Sequence, residues 1–235
     1  MKQLLLICAV VTLVGCGEAA KEKAAKIKAA ADARAAAEKK ATETATIPQQ
    51  PKTTSEKLIT DPIVEKAVRE KLEKPEGELT EADLEKVTTI TFYETKITDA
   101  GLKELVKLQK LKSLSLANTK ITDAGLKELN KLQKLKWLFL SRTQITDSGL
   151  KDVAKLQHLT TLNLTRTQIT DVGLKEVAKL QKLKSLSLAT SKITDTGLKE
   201  VAKLQKLEVL YLNNTQITKT GVAELKKALP NCEIR

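Results

Sequence analysis

The strongest constraint on the fold is a sequence repeat that fills most of the second half of the chain. The segment that begins KSLSLANTKITDAGL after Leu111 recurs with few changes, and no residue is inserted between the copies. Each copy follows a leucine, and these leucines are 24 residues apart: Leu111, Leu135, Leu159, Leu183 and Leu207. A repeat of this length is the signature of a protein built by stacking one small structural unit on the next.

Each repeat contains two hydrophobic patterns. Leu114 and Leu116 alternate with polar residues, as in a short strand, whereas Leu102, Leu105 and Leu108 recur every three or four residues, as along a helix. One coil is therefore predicted to be a strand, a turn and a helix. A single coil cannot bury both faces alone, so the coils must stack. The predicted fold class is an α/β solenoid with a parallel concave sheet and helices outside.

The repeat resembles the bacterial leucine-rich repeats of the form ITDxGLxxLxxLxxLxxLxLxxT, and the resemblance implies a right-handed β/α horseshoe arc. The asparagine ladder typical of this family is replaced by hydroxyl residues, which we expect to hydrogen-bond a neighbouring coil's backbone: Thr95, Thr119, Thr143, Thr167, Ser191 and Thr215. A glycine stands at each helix start, where we expect close approach of adjacent coils, with the preceding Thr or Asp capping the helix.

The first residues have the composition of a targeting segment. The apolar run from Leu4 to Val14 is too short to cross a bilayer and is interpreted as a signal peptide over residues 1–15. The sequence Leu-Val-Gly-Cys ending at Cys16 resembles the lipobox of bacterial lipoproteins, which implies cleavage before Cys16 and acylation of that residue. The alternative is an ordinary secretory peptide with a coincidental cysteine. Gly17, rather than Asp, slightly favours the outer membrane or cell surface.

The next two segments are predicted to connect and cap the repeats. Residues 16–57 are rich in Ala and Lys and end in a Pro-containing linker, which indicates a helical or disordered stalk, with a coiled coil as the less favoured alternative. In residues 58–86, Asp61 before Pro62 and the pair Thr80 and Asp83 each predict a capped helix. This segment is similar to the helical amino-terminal cap of internalin-like proteins. The repeat domain then covers residues 87–235, with six strands and a short seventh at Ile234.

The composition offers no sign of catalysis. Motifs of hydrolases, zinc proteases and phosphate-binding loops are missing from the sequence, and the single histidine, His158, stands at a variable outward position. Cys232 is interpreted as a packed residue near the carboxyl end. We therefore predict no enzyme, no cofactor and no metal site.

The net charge is +12, and lysines recur on the outer side at Lys103, Lys107 and Lys110. We interpret them as a solvated surface, with attraction to anionic lipid headgroups or glycopolymers as the alternative. Nucleic acid is disfavoured as a partner, since no recognition motif is present.

Residues between and just after the strand leucines are predicted to face the concave side. Four of the five aromatic residues fall there, on a surface otherwise built of small polar residues. Aromatic and arginine side chains on such a surface are typical of recognition sites. The predicted ligand-binding residues are Tyr93, Trp137, Phe139, Arg142, Asn163, Arg166 and Tyr211.

The functional hypothesis is a lipid-anchored envelope module that binds a protein or peptide through this face. One alternative is that the aromatic rings only pack across strands. Another is a structural spacer without a specific ligand. The identity of the partner and the oligomeric state stay open.

Overall fold

The repeats form one sheet of seven parallel strands. A computed structural model describes residues 57–235. The strands follow each other in sequence order across the sheet, and they are β1 (Thr89–Thr91), β2 (Ser113–Ser115), β3 (Trp137–Phe139), β4 (Thr161–Asn163), β5 (Ser185–Ser187), β6 (Val209–Tyr211) and β7 (Glu233–Ile234). Equivalent residues of successive coils are paired, for example Leu114 with Leu138 and Leu138 with Leu162. The predicted leucine-rich repeat solenoid is therefore confirmed.

Helical segments connect the strands on the outer side. Two helices precede the sheet, α1 (Pro62–Leu72) and α2 (Glu81–Lys86). The outer segments are a 3₁₀ helix (Gly101–Lys107), α3 (Asp123–Leu129), α4 (Leu150–Val153), α5 (Asp171–Val177), α6 (Asp195–Val201) and α7 (Lys219–Ala228). The strands are only about 4.8 Å apart whereas packed helices need 8–10 Å, so the sheet lies on the inside of the curve.

The core is a continuous stack of aliphatic side chains between the sheet and the helices. The central leucine of each repeated strand is fully buried; these residues are Leu114, Leu138, Leu162, Leu186 and Leu210. Phe92 takes the place of a leucine in the first coil and is also fully buried. Each side chain is covered by its equivalents in the adjacent coils, so the core extends with each added repeat.

Four of the six hydroxyl residues that replace the asparagine ladder are buried and Thr95 and Thr215 are half-buried, but the prediction of their partner was wrong. Thr143 Oγ1 donates to the carbonyl oxygen of Leu140 at 2.7 Å, within the same coil. Thr119, Thr167 and Ser191 make the same bond to the residue three positions earlier. A hydroxyl is shorter than an asparagine amide, so it reaches the turn of its own coil but not the backbone of the next.

Adjacent coils are joined instead by an aspartate. Asp147 accepts two hydrogen bonds from Thr170 of the next coil, from the backbone N–H at 2.8 Å and from Oγ1 at 2.6 Å. We call this arrangement the aspartate ladder, and it repeats at Asp99, Asp123, Asp147, Asp171 and Asp195.

The expected cap is therefore supplied by threonine and not by aspartate. Thr170 Oγ1 accepts the amide of Val172 at 3.3 Å and so begins α5. The same threonine is held by the aspartate of the preceding coil, which links the start of each helix to its neighbour.

The glycine at each helix start makes room for this ladder. A Cβ atom on Gly173 would press against the Asp147 carboxylate and lie 2.8 Å from Leu150 Cδ1. The close approach expected at these glycines is thus present, and it is the aspartate of the preceding coil that approaches.

The amino-terminal end of the sheet is covered by α1 and α2. Asp61 accepts the amides of Ile63 and Val64 at 2.9 and 3.0 Å and so caps α1. A Cβ atom on Gly101 would lie only 2.8 Å from the same carboxylate. Asp61 therefore occupies, beside Gly101, the place that a ladder aspartate has beside the glycine of each later coil. Thr80 and Asp83 form the predicted capping box of α2.

The carboxyl-terminal end closes with α7 and β7. Lys219 stands where the ladder aspartate would be, Ile234 pairs with Leu210, and Cys232 is buried at 2% exposure.

Among residues 57–235 the helices are all too short or too polar to span a bilayer. The predictions for the signal peptide, Cys16 and the stalk fall outside the described residues.

Candidate interaction surface on the concave sheet

Trp137 and Phe139 stand together on the inner face of β3. Trp137 is 39% exposed and Phe139 is half-buried, while Leu138 between them points into the core. Their neighbours are small: Ser113 and Ser115 on β2, and Thr161 and Asn163 on β4. Such neighbours cannot cover an indole ring, so Trp137 presents much of its surface to solvent.

The inner face around this pair is held by short polar contacts. Asn163 Oδ1 accepts the backbone N–H of Thr165 at 2.9 Å, and the hydroxyls of Thr165 and Ser187 lie 2.7 Å apart. The side-chain carbonyl of Asn163 is therefore engaged in the fold. These bonds make the face beside Trp137 a preformed polar surface.

Four of the predicted residues line a groove where the strands end. The groove has a volume of about 430 Å³, and Tyr93, Arg142, Asn163 and Arg166 are among its lining residues. The side chains of Arg142 and Arg166 form no ion pair or hydrogen bond with the rest of the described chain. They are exposed and offer guanidinium donors to a ligand in the groove.

A turn residue with positive φ follows the strand in six successive coils, and all of these residues except Glu94 line the groove. These residues have φ between 54° and 56°: Glu94, Asn118, Arg142, Arg166, Thr190 and Asn214. This left-handed conformation is unfavourable for most residues other than glycine, and asparagine tolerates it best. This conformation was not predicted from the sequence, although the asparagines at two of the six positions, Asn118 and Asn214, were the available signal.

Tyr93 sits at the amino-terminal end of the groove and is 54% exposed. A hydrogen bond to the Glu94 carboxylate raises the pKa of the Tyr93 hydroxyl, so the phenol stays a neutral donor. Asn118 Nδ2 also donates to Glu94, at 3.0 Å. Glu94 thus holds side chains of two adjacent coils at this end.

Tyr211 does not join the other predicted residues. Its hydroxyl accepts a hydrogen bond from Arg235 at 3.2 Å, and the Arg235 guanidinium lies 5.5 Å from the ring centroid. Tyr211 is also three strands away from Trp137. The structure therefore divides the predicted set into the β3 aromatic pair, the groove residues and an internally engaged Tyr211.

The described chain offers no metal-binding cluster of three or more His, Cys, Asp or Glu side chains. His158 is exposed on the outer side, as expected, and its Nδ1 lies 3.2 Å from Lys182 Nζ. The surface described above can bind through aromatic contact and donated hydrogen bonds.

Comparison with solved structures agrees with this architecture. The fold is similar to internalin C2 of Listeria monocytogenes, with 28% sequence identity and a TM-score of 0.58, over 75% of this chain and 83% of that one. An internalin (inlF) of the same organism matches with 24% identity and a TM-score of 0.56, over 74% of this chain and 55% of that one, and this likeness concerns the fold alone.

Among curated proteins none gives a significant match. The sequence model of the leucine-rich repeat region family matches residues 86–230, which is more than half of the chain. The protein is therefore a member of the leucine-rich repeat region family.

Proposed function

We propose that this protein is a non-enzymatic, protein- or peptide-binding module of the bacterial cell envelope, tethered through a lipidated Cys16. The partner is received on the concave sheet, against Trp137 and Phe139 and along the groove with Arg142 and Arg166. The observation that carries the proposal is an exposed indole on a face otherwise built of small polar residues. A leucine-rich repeat solenoid of internalin-like fold is typical of protein-interaction modules.

The exposed part of Trp137 is large enough to anchor a partner. A tryptophan side chain can bury up to about 250 Å², and 39% of Trp137 is exposed. Covering that remainder at about 25 cal/mol per Å² would contribute roughly 2 kcal/mol. This value reaches the range of residues that dominate protein interfaces. Exposed guanidinium groups can then fix the orientation of a partner by forked hydrogen bonds.

The fold itself supplies the test substitution. Strands β2 and β5 carry Ser-Leu-Ser where β3 carries Trp-Leu-Phe, so Trp137→Ser with Phe139→Ser converts β3 to a sequence that its neighbours already use. The matched control is Val172→Ala, because Val172 is a hydrophobic residue, 65% exposed, on the outer helix α5.

Recovery of binding partners from envelope extract is compared between the three proteins. We expect the double substitution to remove at least one specific partner that wild type and Val172→Ala both retain. Photo-crosslinking from position 137 on intact cells identifies that partner. Equal recovery of every protein by all three would refute the recognition surface and favour a structural spacer.

The membrane anchor is tested separately. We expect Cys16→Ala to move the protein from the membrane fraction to the soluble fraction of the envelope. Unchanged fractionation would contradict lipidation without affecting the interaction surface. Separation of inner and outer membranes then tests the expectation, based on Gly17, of an outer-membrane or surface location.

A further inference from the structure

The acidic residues of the repeats are engaged within the protein. Between Lys96 and Leu207 the acids fall into two sets. The first is the aspartate ladder, whose carboxylates accept threonine bonds of the next coil and lie between the coils, against the glycines. The hydrogen bonds from Thr218 lower the pKa of Asp195, because a carboxylate that accepts hydrogen bonds is favoured in its charged form.

The second set of acids is neutralised on the helices themselves. Each pairs with the lysine three residues later, at N–O distances between 2.6 and 2.9 Å. The pairs are Glu104–Lys107, Glu128–Lys131, Asp152–Lys155, Glu176–Lys179 and Glu200–Lys203. The outer surface therefore carries few carboxylates that could offset other cations.

A column of lysines remains beside these pairs. One exposed lysine follows the repeated Gly-Leu step of each of five successive coils, and none forms an ion pair within residues 57–235. We call this column the lysine ridge, and it consists of Lys103, Lys127, Lys151, Lys175 and Lys199. A second column, at Lys110, Lys134, His158, Lys182 and Lys206, runs parallel to it near the helix ends.

The geometry of the ridge limits what can cover it. Packed helices are about 8–10 Å apart, so successive ridge ammonium groups have about that spacing along the outside of the arc. Two unit charges at 9 Å repel by about 0.5 kcal/mol in water, and an anion that bridges them relieves the repulsion. A flat bilayer touches a convex ridge at only a few points, whereas a flexible chain can follow all five lysines.

From these observations we infer that the lysine ridge is a second binding surface, for a flexible linear polymer of phosphodiester-linked units. Lysine is a compact, mobile point charge that binds phosphate without fixed geometry. A column of lysines therefore suits a polymer whose phosphates recur at intervals and whose other groups are not read. This surface is on the side opposite to the concave sheet, so both can be occupied at once.

The test uses a fluorescent abasic deoxyribose-phosphate oligomer of about 20 units, which has phosphodiesters and no bases, and measures anisotropy with the full chain. The ridge variant carries Lys127→Gln, Lys151→Gln and Lys175→Gln. The control variant carries Lys96→Gln, Lys120→Gln and Lys192→Gln, which changes the net charge equally. Glutamine already occupies that position in the other three coils, at Gln144, Gln168 and Gln216.

We expect the ridge variant to lose affinity by about 30-fold or more, and the slope of log K against log salt to fall by about 2. The control variant should lose less than about 3-fold, through the weaker long-range field alone. Equal losses in both variants would show that only net charge matters and would overturn the proposal.

Vesicles with 30% anionic phospholipid form the second arm. Ridge-dependent binding to vesicles, without binding to the oligomer, would assign the ridge to a membrane surface and would likewise overturn the proposal. No binding to either probe would overturn it as well.

Discussion

Stability of the solenoid should depend on the aspartate ladder, and Asp147 in the middle of the array is the best place to test it. Asp147→Ala removes the acceptor of two short bonds from Thr170, at 2.8 and 2.6 Å, and leaves a half-buried backbone N–H without its partner. A hydrogen bond to a charged acceptor contributes about 1.5–3 kcal/mol. Both groups are half-exposed, so water replaces part of that contribution.

We therefore expect Asp147→Ala to lower the free energy of unfolding by about 2–3 kcal/mol, and Tm by about 5–10 °C for a domain of this size. The matched control is Asp152→Ala, an aspartate in the same coil whose 2.7 Å ion pair with Lys155 is on the exposed helix surface. Exposed pairs contribute little, so we expect a loss of at most about 0.5 kcal/mol.

A double-mutant cycle with Gly173 separates the ladder from a general loss of packing. Gly173→Ala alone should cost about 1–3 kcal/mol, because its methyl group would press against the Asp147 carboxylate. With Asp147→Ala already present, the carboxylate is gone and only the contact with Leu150 remains. The double variant should then be more stable than the sum of the single losses predicts, by about 1 kcal/mol.

Urea unfolding followed by circular dichroism and by fluorescence of Trp137, the only tryptophan, measures these values. Coincidence of the two transitions checks that the domain unfolds as one cooperative unit. Additive losses within about 0.5 kcal/mol, or equal losses for Asp147→Ala and Asp152→Ala, would refute the argument.

Three further predictions concern single sites. Arg142→Asn should raise the free energy of unfolding by about 0.5–1 kcal/mol, because asparagine tolerates positive φ and Asn118 already occupies the equivalent position. The same substitution should weaken partner binding. Urea unfolding measures the first effect and recovery of the partner measures the second. Thr143→Val should cost about 1 kcal/mol, since it removes a buried bond to the carbonyl three residues earlier, and the same unfolding assay with Thr143→Ser, which keeps the hydroxyl, checks the cause. The pKa of Asp83 is held well below its usual value, mainly by a hydrogen bond from Lys74. The resulting stabilisation is complete above about pH 3.9, the pKa of an unfolded aspartate, and is lost as the pH falls through the lower pKa of the folded state. Lys74→Met should therefore reduce the loss of stability on acidification, which is measured by unfolding at a series of pH values.

The repeat pattern predicted the core correctly because each coil uses the same local rule. Leu114 and Leu116 face inward because side chains alternate along a strand, and the same spacing placed Phe92 inside and Trp137 outside without knowledge of the neighbours. The caps of α1 and α2 were also predictable, because Asp61 and Thr80 bond to amides only a few residues away.

Contacts between coils were predicted less well. The hydroxyls that replace the asparagine ladder were expected to reach across coils, but they bond within their own coil. A Thr or Asp was expected to cap each helix, and threonine does so at α5, whereas the contact of the aspartates with the next coil was not predicted. Tyr211 was predicted on the concave face from the alternation of side chains, and its hydrogen bond from Arg235, which follows β7, is a contact between coils that the pattern did not predict.

The amino-acid sequence alone determined the coil, its length, the residues that it buries and the face on which Trp137 stands, because these follow from the periodicity of strand and helix within one repeat. Only the tertiary structure decided which polar groups of adjacent coils form hydrogen bonds, such as Asp147 and Thr170, which are 23 residues apart. It also decided how the left-handed turns align along a groove, and which acids and lysines form ion pairs. Those contacts depend on the distance and rotation between stacked coils, and a one-dimensional pattern does not contain these two quantities.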